Sequence, residues 1–182
     1  DIVSGFHTDP VGLLLSHRAD WAIVSDVEQN DDVLFKPLFS YEMVGICSKD
    51  HPLANKDVWQ AEDFAEETWV TYPVPDDMLD LYRQVLKPKG INPPRRTTEL
   101  TIALIQLVAS RRGIATVPYW AALPYLEKGY VVARKITEEG LYSNLYAAIR
   151  KEDANLAYIE DFHQTVKAQS FSTLPGLSVL EL

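Results

Sequence analysis

Residues Thr101–Trp120 read TIALIQLVASRRGIATVPYW, and the fold class follows from how this stretch divides. Ile102, Leu104, Ile105, Leu107, Val108 and Ala109 recur at helical period and fill a broad apolar face. Arg111 and Arg112 fall in the expected last turn, where positive charge suits the negative end of the helix dipole. Gly113 is placed for a left-handed C-terminal cap. Ile114-Ala115-Thr116-Val117 is then a short β-prone run that Pro118 stops. A strand with no polar face to show to water belongs in a parallel sheet covered by helices.

The same alternation extends outward. Strands are expected at Ala19–Val24, Tyr41–Cys47, Trp69–Tyr72, Arg95–Leu100, Tyr130–Ala133 and Leu141–Ile149. Helices are expected at Val11–His17, Ala61–Glu66, Asp77–Lys87, Trp120–Lys128 and Tyr158–Ala168, with Ser172–Leu182 a loosely held tail. Asp9 before Pro10 reads as a helix N-cap with proline at the first helical position, and Asp76 as a second cap. Single strands followed by single helices are the signature of an α/β fold with mostly parallel strands.

The chain has 182 residues and a formal net charge of −9, with 47% hydrophobic and 24% charged residues. Such a balance describes a folded globular chain, and its acidity argues against a surface that grips nucleic acid phosphates. The single cysteine, Cys47, sits in an apolar run and reads as a buried thiol, so no internal disulfide framework is available. No run of about 18 apolar residues is present, so no membrane span is expected. The opening Asp1-Ile2-Val3-Ser4-Gly5 lacks an initiator methionine and reads as a strand already under way, so an upstream part is expected.

In sheets of this kind ligands sit at the carboxyl ends of the strands. Three strand-to-helix junctions are candidates: Gly5–Pro10, Tyr72–Asp76 and Leu100–Thr101. Each leads to a helix start, where free backbone N–H groups favour a carboxylate. Neither GxGxxG nor GxxxxGK[ST] occurs, which leaves nucleotide binding without support. His7, His17, His51 and His163 are scattered, with no HExxH, so metal coordination is not expected. His51 and His163 read as packing or surface residues, and His7 stands open between ligand contact and loop packing. No GxSxG elbow is present and Cys47 has no basic partner nearby in sequence. Asp76-Asp77 and Glu138-Glu139 are explained by helix starts and loops, and Arg95-Arg96 and Arg111-Arg112 by solvation or ion pairing. No catalytic constellation emerges, and no enzyme activity is expected.

Pro37-Leu38-Phe39-Ser40-Tyr41-Glu42-Met43-Val44, followed by Asp50-His51-Pro52-Leu53-Ala54, resembles a signature of the LysR-type transcriptional regulators. Arg18-Ala19-Asp20-Trp21-Ala22-Ile23-Val24 is similar to the family's G-x-L-D-L-A-I strand, with His17-Arg18-Ala19 in place of its usual opening. Leu107–Pro118 resembles its V-a-x-G-x-G-I-A-x-L-P segment, with Arg111 where a first glycine is frequent. The resemblance runs from residue 1 to about residue 170. Within the family, Thr71-Tyr72-Pro73-Val74, Leu86-Lys87-Pro88 with Gly90, Leu104–Ala109 and Leu145–Arg150 are similar to a methionine-biosynthesis branch.

The resemblance implies an effector-binding domain of two Rossmann-like α/β lobes joined by a hinge, like a type 2 periplasmic binding protein. Lobe I would comprise residues 1–66 and 143–182, and lobe II residues 67–142, with the first strand and helix of lobe I missing. It also implies an upstream DNA-binding helix-turn-helix, self-association as a homodimer or homotetramer, a cytoplasmic location and no cofactor. The effector would be a small amino acid, homocysteine, held between the lobes. Its expected contacts are Phe6, His7, Thr8, Thr71, Tyr72, Pro73, Thr101, Thr116, Pro118 and Tyr119. The threonines would supply hydroxyls, and Phe6, Tyr72 and Tyr119 a wall for the thiol end, while Asp9 or Glu99 would meet the ammonium. The alternative is a periplasmic solute-binding protein for an amino acid or other small carboxylate; a small-molecule enzyme on the same fold is a third.

Overall fold

A computed structural model describes residues 2–3, 9–27 and 30–180. The chain divides into two compact units, one holding the described residues up to Tyr41 and from Ser143 onward, the other Glu42–Tyr142. Phe6, His7 and Thr8 lie outside the described residues.

In the first unit, helix α1 (Pro10–Leu15) opens as expected, with Pro10 in its first turn and Asp9 Oδ1 accepting from the Gly12 N–H at 2.7 Å. The helix ends at Leu15, before His17, because His17 turns to φ 53° and the Arg18 N–H folds back onto the Leu13 carbonyl at 2.9 Å. Strand β1 (Ala22–Val24) runs antiparallel to β8 (Leu141–Arg150), with Ala22 opposite Ala148. Leu14, Val24, Val33 and Ala148 close a small core between α1 and these strands. Helix α4 (Ala157–Thr173) presents Phe162 edge-on to Trp21, with ring centroids 5.2 Å apart.

Arg150, which sequence reading left as the end of a strand, knits this unit together. Its guanidinium donates to the carbonyls of Leu14 and Ala19 and pairs with Asp20 and Asp153, while its side chain is only 7% exposed. The expected loose tail is corrected as well. Helix α4 continues to Thr173, and strand β9 (Leu177–Ser178) then pairs with Tyr41 and Ser40 of β2 (Val33–Cys47). Backbone pairing along an otherwise open strand edge holds this segment, a contact without a helical or alternating sequence signal.

In the second unit, β4 (Trp69–Thr71) lies between β5 (Arg95–Thr97) and β6 (Ile114–Pro118), all three parallel. The end of β2 runs antiparallel between β6 and β7 (Val132–Ile136), and β3 (Val58–Trp59) adds parallel to β7. One face of this sheet carries Trp59, Phe64, Trp69, Leu81, Leu86, Ile114 and Ile136. The other carries Val70, Ala115 and Val117 against Leu104, Ile105 and Val108 of α2 (Thr101–Ala109) and Ala122 of α3 (Tyr119–Glu127). Residues 42–66 fall in this unit, where sequence reading set the boundary at 66, because Ala54, Trp59, Ala61 and Phe64 are buried with Trp69 and Leu81.

Two expected α-helices are replaced by turns of other pitch. Ala61–Glu66 is a 3-10 turn, Ala61–Phe64, closed by the Gln60 N–H on Asp63 Oδ2 at 2.8 Å. Asp77–Lys87 becomes a 3-10 turn, Asp76–Met78, then a wide π-type turn, Leu81–Leu86, separated by Leu79 in an extended conformation. Asp76 caps no helix there, since its carboxylate pairs with Arg95, whose guanidinium lies 5.0 Å over the Trp69 ring.

The organising unit Thr101–Pro118 forms as expected, except at its cap. The left-handed residue is Arg111, φ 58°, not Gly113. The Arg112 N–H reaches the Leu107 carbonyl at 2.9 Å and the Arg111 N–H the Val108 carbonyl at 3.0 Å, the paired bonds of a Schellman ending. Gly113 sits at φ 146° for a different reason: a Cβ there would stand 2.2 Å from the Thr68 carbonyl oxygen.

Candidate functional site at the strand ends of the second unit

Because β4, β5 and β6 run parallel, their carboxyl ends share one edge. Thr71 stands opposite Thr97, and Trp69 and Val70 opposite Ile114 and Ala115, which sets Thr116 beside Thr71 one step further along. The edge therefore carries Thr71, Thr97 and Thr116, followed by the turns that lead into α2 and α3. Thr71 and Thr116 are 4% and 7% exposed, and neither makes a side-chain hydrogen bond among the described residues. Neither hydroxyl is among the fully buried, unpartnered polar atoms, so a solvent molecule or a ligand can meet it at this edge.

Strand alternation puts Thr71 and Thr116 on the Trp69 and Ile114 face, whereas Tyr72 and Tyr119 pack against the α2 face. The expected contact residues of this unit are thus brought to one edge but divided between its two faces. Pro73 is exposed at the centre of a tight turn, in which the Val74 N–H meets the Tyr72 carbonyl at 2.9 Å. Pro118 ends β6 opposite Met43 and stands at the N-cap of α3, which has no side-chain cap.

Helix α2 opens behind Leu100, whose side chain cannot cap it. Among the described residues the N–H groups of Thr101, Ile102 and Ala103 have no protein acceptor, as expected of a first helical turn. Tyr72 Oη lies 2.7 Å from Thr101 Oγ1. The Thr98 N–H donates to the Thr71 carbonyl at 3.0 Å, closing the junction between β4 and α2. Thr97 and Thr98 were not singled out in the sequence. Only the parallel register, with Thr71 beside Thr97, identifies them.

Lysine, arginine and histidine are absent from this edge, from Thr71 to Val74, from Thr97 to Ala103 and from Thr116 to Ala121, and Glu99 is its one acid. Hydroxyls and backbone N–H groups with one nearby carboxylate can meet a neutral zwitterion and offer little to a multiply charged phosphate. Asp9, the other expected ammonium partner, is spent on the α1 cap.

The remaining singled-out groups have structural roles. His51 Nδ1 accepts from the Leu53 N–H at 3.2 Å, and its Nε2 lies 3.3 Å from Glu67. His163 is buried on α4, 4% exposed, and its Nδ1 has no partner among the described residues. The Cys47 thiol is buried and pushed up to about 11, chiefly by burial, with Arg134 pulling it down and Glu67 up. Such a thiol is neither nucleophile nor ready ligand at neutral pH.

Comparison with known proteins agrees with this architecture. Residues 1–170 match the LysR substrate binding domain. The chain is 86% identical over 182 residues to the HTH-type transcriptional regulator MetR of Haemophilus influenzae, all of this chain and 59% of that protein. It is 35% identical over 181 residues to MetR of Escherichia coli K12, of which it covers 57%. The chain therefore spans under three fifths of the length of these regulators. Among solved structures, the regulatory domain of MetR from N. meningitidis superposes with a TM-score of 0.91 at 66% identity, covering 100% of this chain and 84% of that one. The effector-binding domain of QuiR in complex with shikimate has a TM-score of 0.72 at 24% identity, covering 87% of this chain and 77% of that one, a likeness of fold alone. Sequence match over nearly the full length and a shared fold lead to one conclusion: the chain belongs to the LysR substrate-binding-domain family.

Proposed function

We propose that this chain is the effector-sensing part of a DNA-binding transcriptional regulator of methionine biosynthesis, and that its effector is homocysteine. The observation that carries the ligand class is the strand edge of the second unit. Two buried threonines whose hydroxyls have no protein partner among the described residues, and the uncapped start of α2, stand there in segments that hold no lysine, arginine or histidine. An amino acid's carboxylate suits the N–H groups and hydroxyls, Glu99 suits its ammonium, and the rings of Tyr72 and Tyr119 suit a short thioalkyl chain. The branch of the family rests on the 86% identity to the Haemophilus regulator.

In this reading the protein acts by differential binding. Homocysteine must favour one conformation of the regulator over another, since a ligand of equal affinity for both shifts nothing. DNA contact belongs to a helix-turn-helix outside these residues, self-association is as a homodimer or homotetramer, the protein works in the cytoplasm, and no cofactor or turnover is involved. Among the described residues no helix is long and apolar enough to cross a membrane. The solute-binding-protein alternative loses ground because the relatives reported above are named helix-turn-helix regulators.

The test is isothermal titration of the full-length regulator with L-homocysteine, L-methionine and shikimate. Saturable heat with homocysteine and none with shikimate is expected. A flat homocysteine titration would refute the assignment.

A further inference from the structure

We propose that β9 is a guard strand: it occupies the stretch of β2 that would otherwise pair with β2 of a second copy of this chain. In the first unit β2 has β8 on one side. On its other side, β6 and β7 pair with β2 only from Met43 onward, and before that point β9 is the strand that pairs with it among the described residues. The sequence along this side falls into two parts. Pro37 has no N–H to offer an incoming strand, one of the ways in which sheet edges are blunted. Leu38-Phe39-Ser40-Tyr41 has no such protection. It is apolar, β-prone and uncharged, the type of stretch that pairs with its like when an edge is left open. The pairing of β9 with Ser40 and Tyr41 falls on that second part.

Local features bring the guard to this place. Phe171, near the end of α4, meets Phe39 edge-on with ring centroids 6.2 Å apart. Gly176 takes φ 75°, a left-handed conformation suited to glycine, in the turn between α4 and β9. Leu177 and Ser178 then run antiparallel to Tyr41 and Ser40. Phe39 and Tyr41 are 4% and 8% exposed, so an open edge would present backbone N–H and C=O groups, which receive an added strand. A second copy of β2 is the partner that fits. An antiparallel β2–β2 pair centred between Phe39 and Ser40 is self-complementary about a two-fold axis. It sets Leu38 opposite Tyr41, an apolar cross-strand pair of the kind that stabilises a sheet.

The test is the molar mass of the full-length regulator, measured by light scattering over a concentration series. Two variants remove the guard. One stops after Gly176; the other, Leu177→Pro/Ser178→Pro, keeps the whole chain and takes both N–H groups from β9. Each is expected to form species of two or more times the wild-type mass, in a share that rises with concentration. Adding Ser40→Lys to either variant brings two like charges together at the centre of a β2–β2 pair, and should restore the wild-type mass at low salt. A far-UV circular dichroism spectrum like that of the wild type confirms that each variant is folded; if the shortened chain is not, the double-proline variant decides. Wild-type mass at every concentration in a folded variant would overturn the guard. So would association that Ser40→Lys leaves intact, since it would arise at a surface other than this edge.

Discussion

The backbone at Gly113 approaches Thr68 so closely that a Cβ on the glycine would stand 2.2 Å from the Thr68 carbonyl oxygen. The same carbonyl accepts the Ile114 N–H at 2.9 Å, so it cannot retreat without giving up the bond that seats β6 beside β4. Gly113→Ala meets both this clash and the strain of φ 146°. A loss of about 3 kcal/mol in urea-unfolding free energy is expected, at the upper end for a strained backbone position. A loss under about 0.5 kcal/mol would mean that the β4–β6 approach is slack.

Two residues earlier the same turn predicts the opposite sign. Arg111 occupies φ 58°, where a side chain costs roughly 1 kcal/mol or more. Its ion pair with Asp50 joins two exposed side chains, a class of contact with a median worth near ~0.5 kcal/mol. Arg111→Gly should therefore leave stability unchanged or raise it by up to about 1 kcal/mol, even after the added chain entropy of glycine. Chemical denaturation of the pair Arg111→Gly and Arg111→Ala separates the two effects, because alanine loses the ion pair without relieving the backbone.

These neighbours show what was legible before the structure and what was not. The helix, turn and strand of Thr101–Pro118 followed from periodicity and β-branching, with Gly113 expected as the left-handed cap and Arg111 in the last helical turn. Which of them was left-handed depended on where α2 ended, and that was set by two hydrogen bonds to Leu107 and Val108. The apolar spacing in Asp77–Lys87 suggested one helix, but burial of Leu79, Leu81 and Leu86 is met here by two turns around an extended residue. At the candidate site, Thr71 and Thr116 could be named from strand ends. Their placement side by side, and on the face away from Tyr72, required the register of β4 against β6. Arg150 carried no signal, since its four main partners lie at Leu14, Ala19, Asp20 and Asp153.

Arg150 yields the third prediction. A guanidinium 7% exposed is held by two carbonyls and two carboxylates, so truncation strands the buried Leu14 carbonyl together with the part-buried Ala19 carbonyl and Asp153 carboxylate. Arg150→Ala should cost about 3–4 kcal/mol, as for removal of one partner from a buried charged network. Arg150→Lys keeps the charge but not the fork that reaches Leu14 and Ala19 together, and should recover less than half of that loss. Full recovery by lysine in a urea melt would show that charge alone, not the forked geometry, joins α1 to β8.

The last prediction concerns acid stability. His163 is buried on α4, and its pKa lies below the ordinary value of 6.5, first because burial disfavours the cation, then because of Lys36, with Lys167 adding to the effect and Glu160 opposing it. A histidine lowered in the folded state binds its proton more readily when unfolded. Its contribution to stability is therefore fully present above pH ~6.5 and is lost as pH falls from there toward the folded value. Glu160 is lowered by Gln164 and by Lys36; its own contribution stays intact above the ordinary value of 4.5 and is lost below it. The two windows therefore separate. Urea midpoints of the wild type should decline between pH 7 and pH 5, whereas His163→Gln should flatten that decline and keep the steeper loss below pH 4.5. A wild-type midpoint that holds constant from pH 7 to pH 5 would show that His163 takes up its proton without opening the fold.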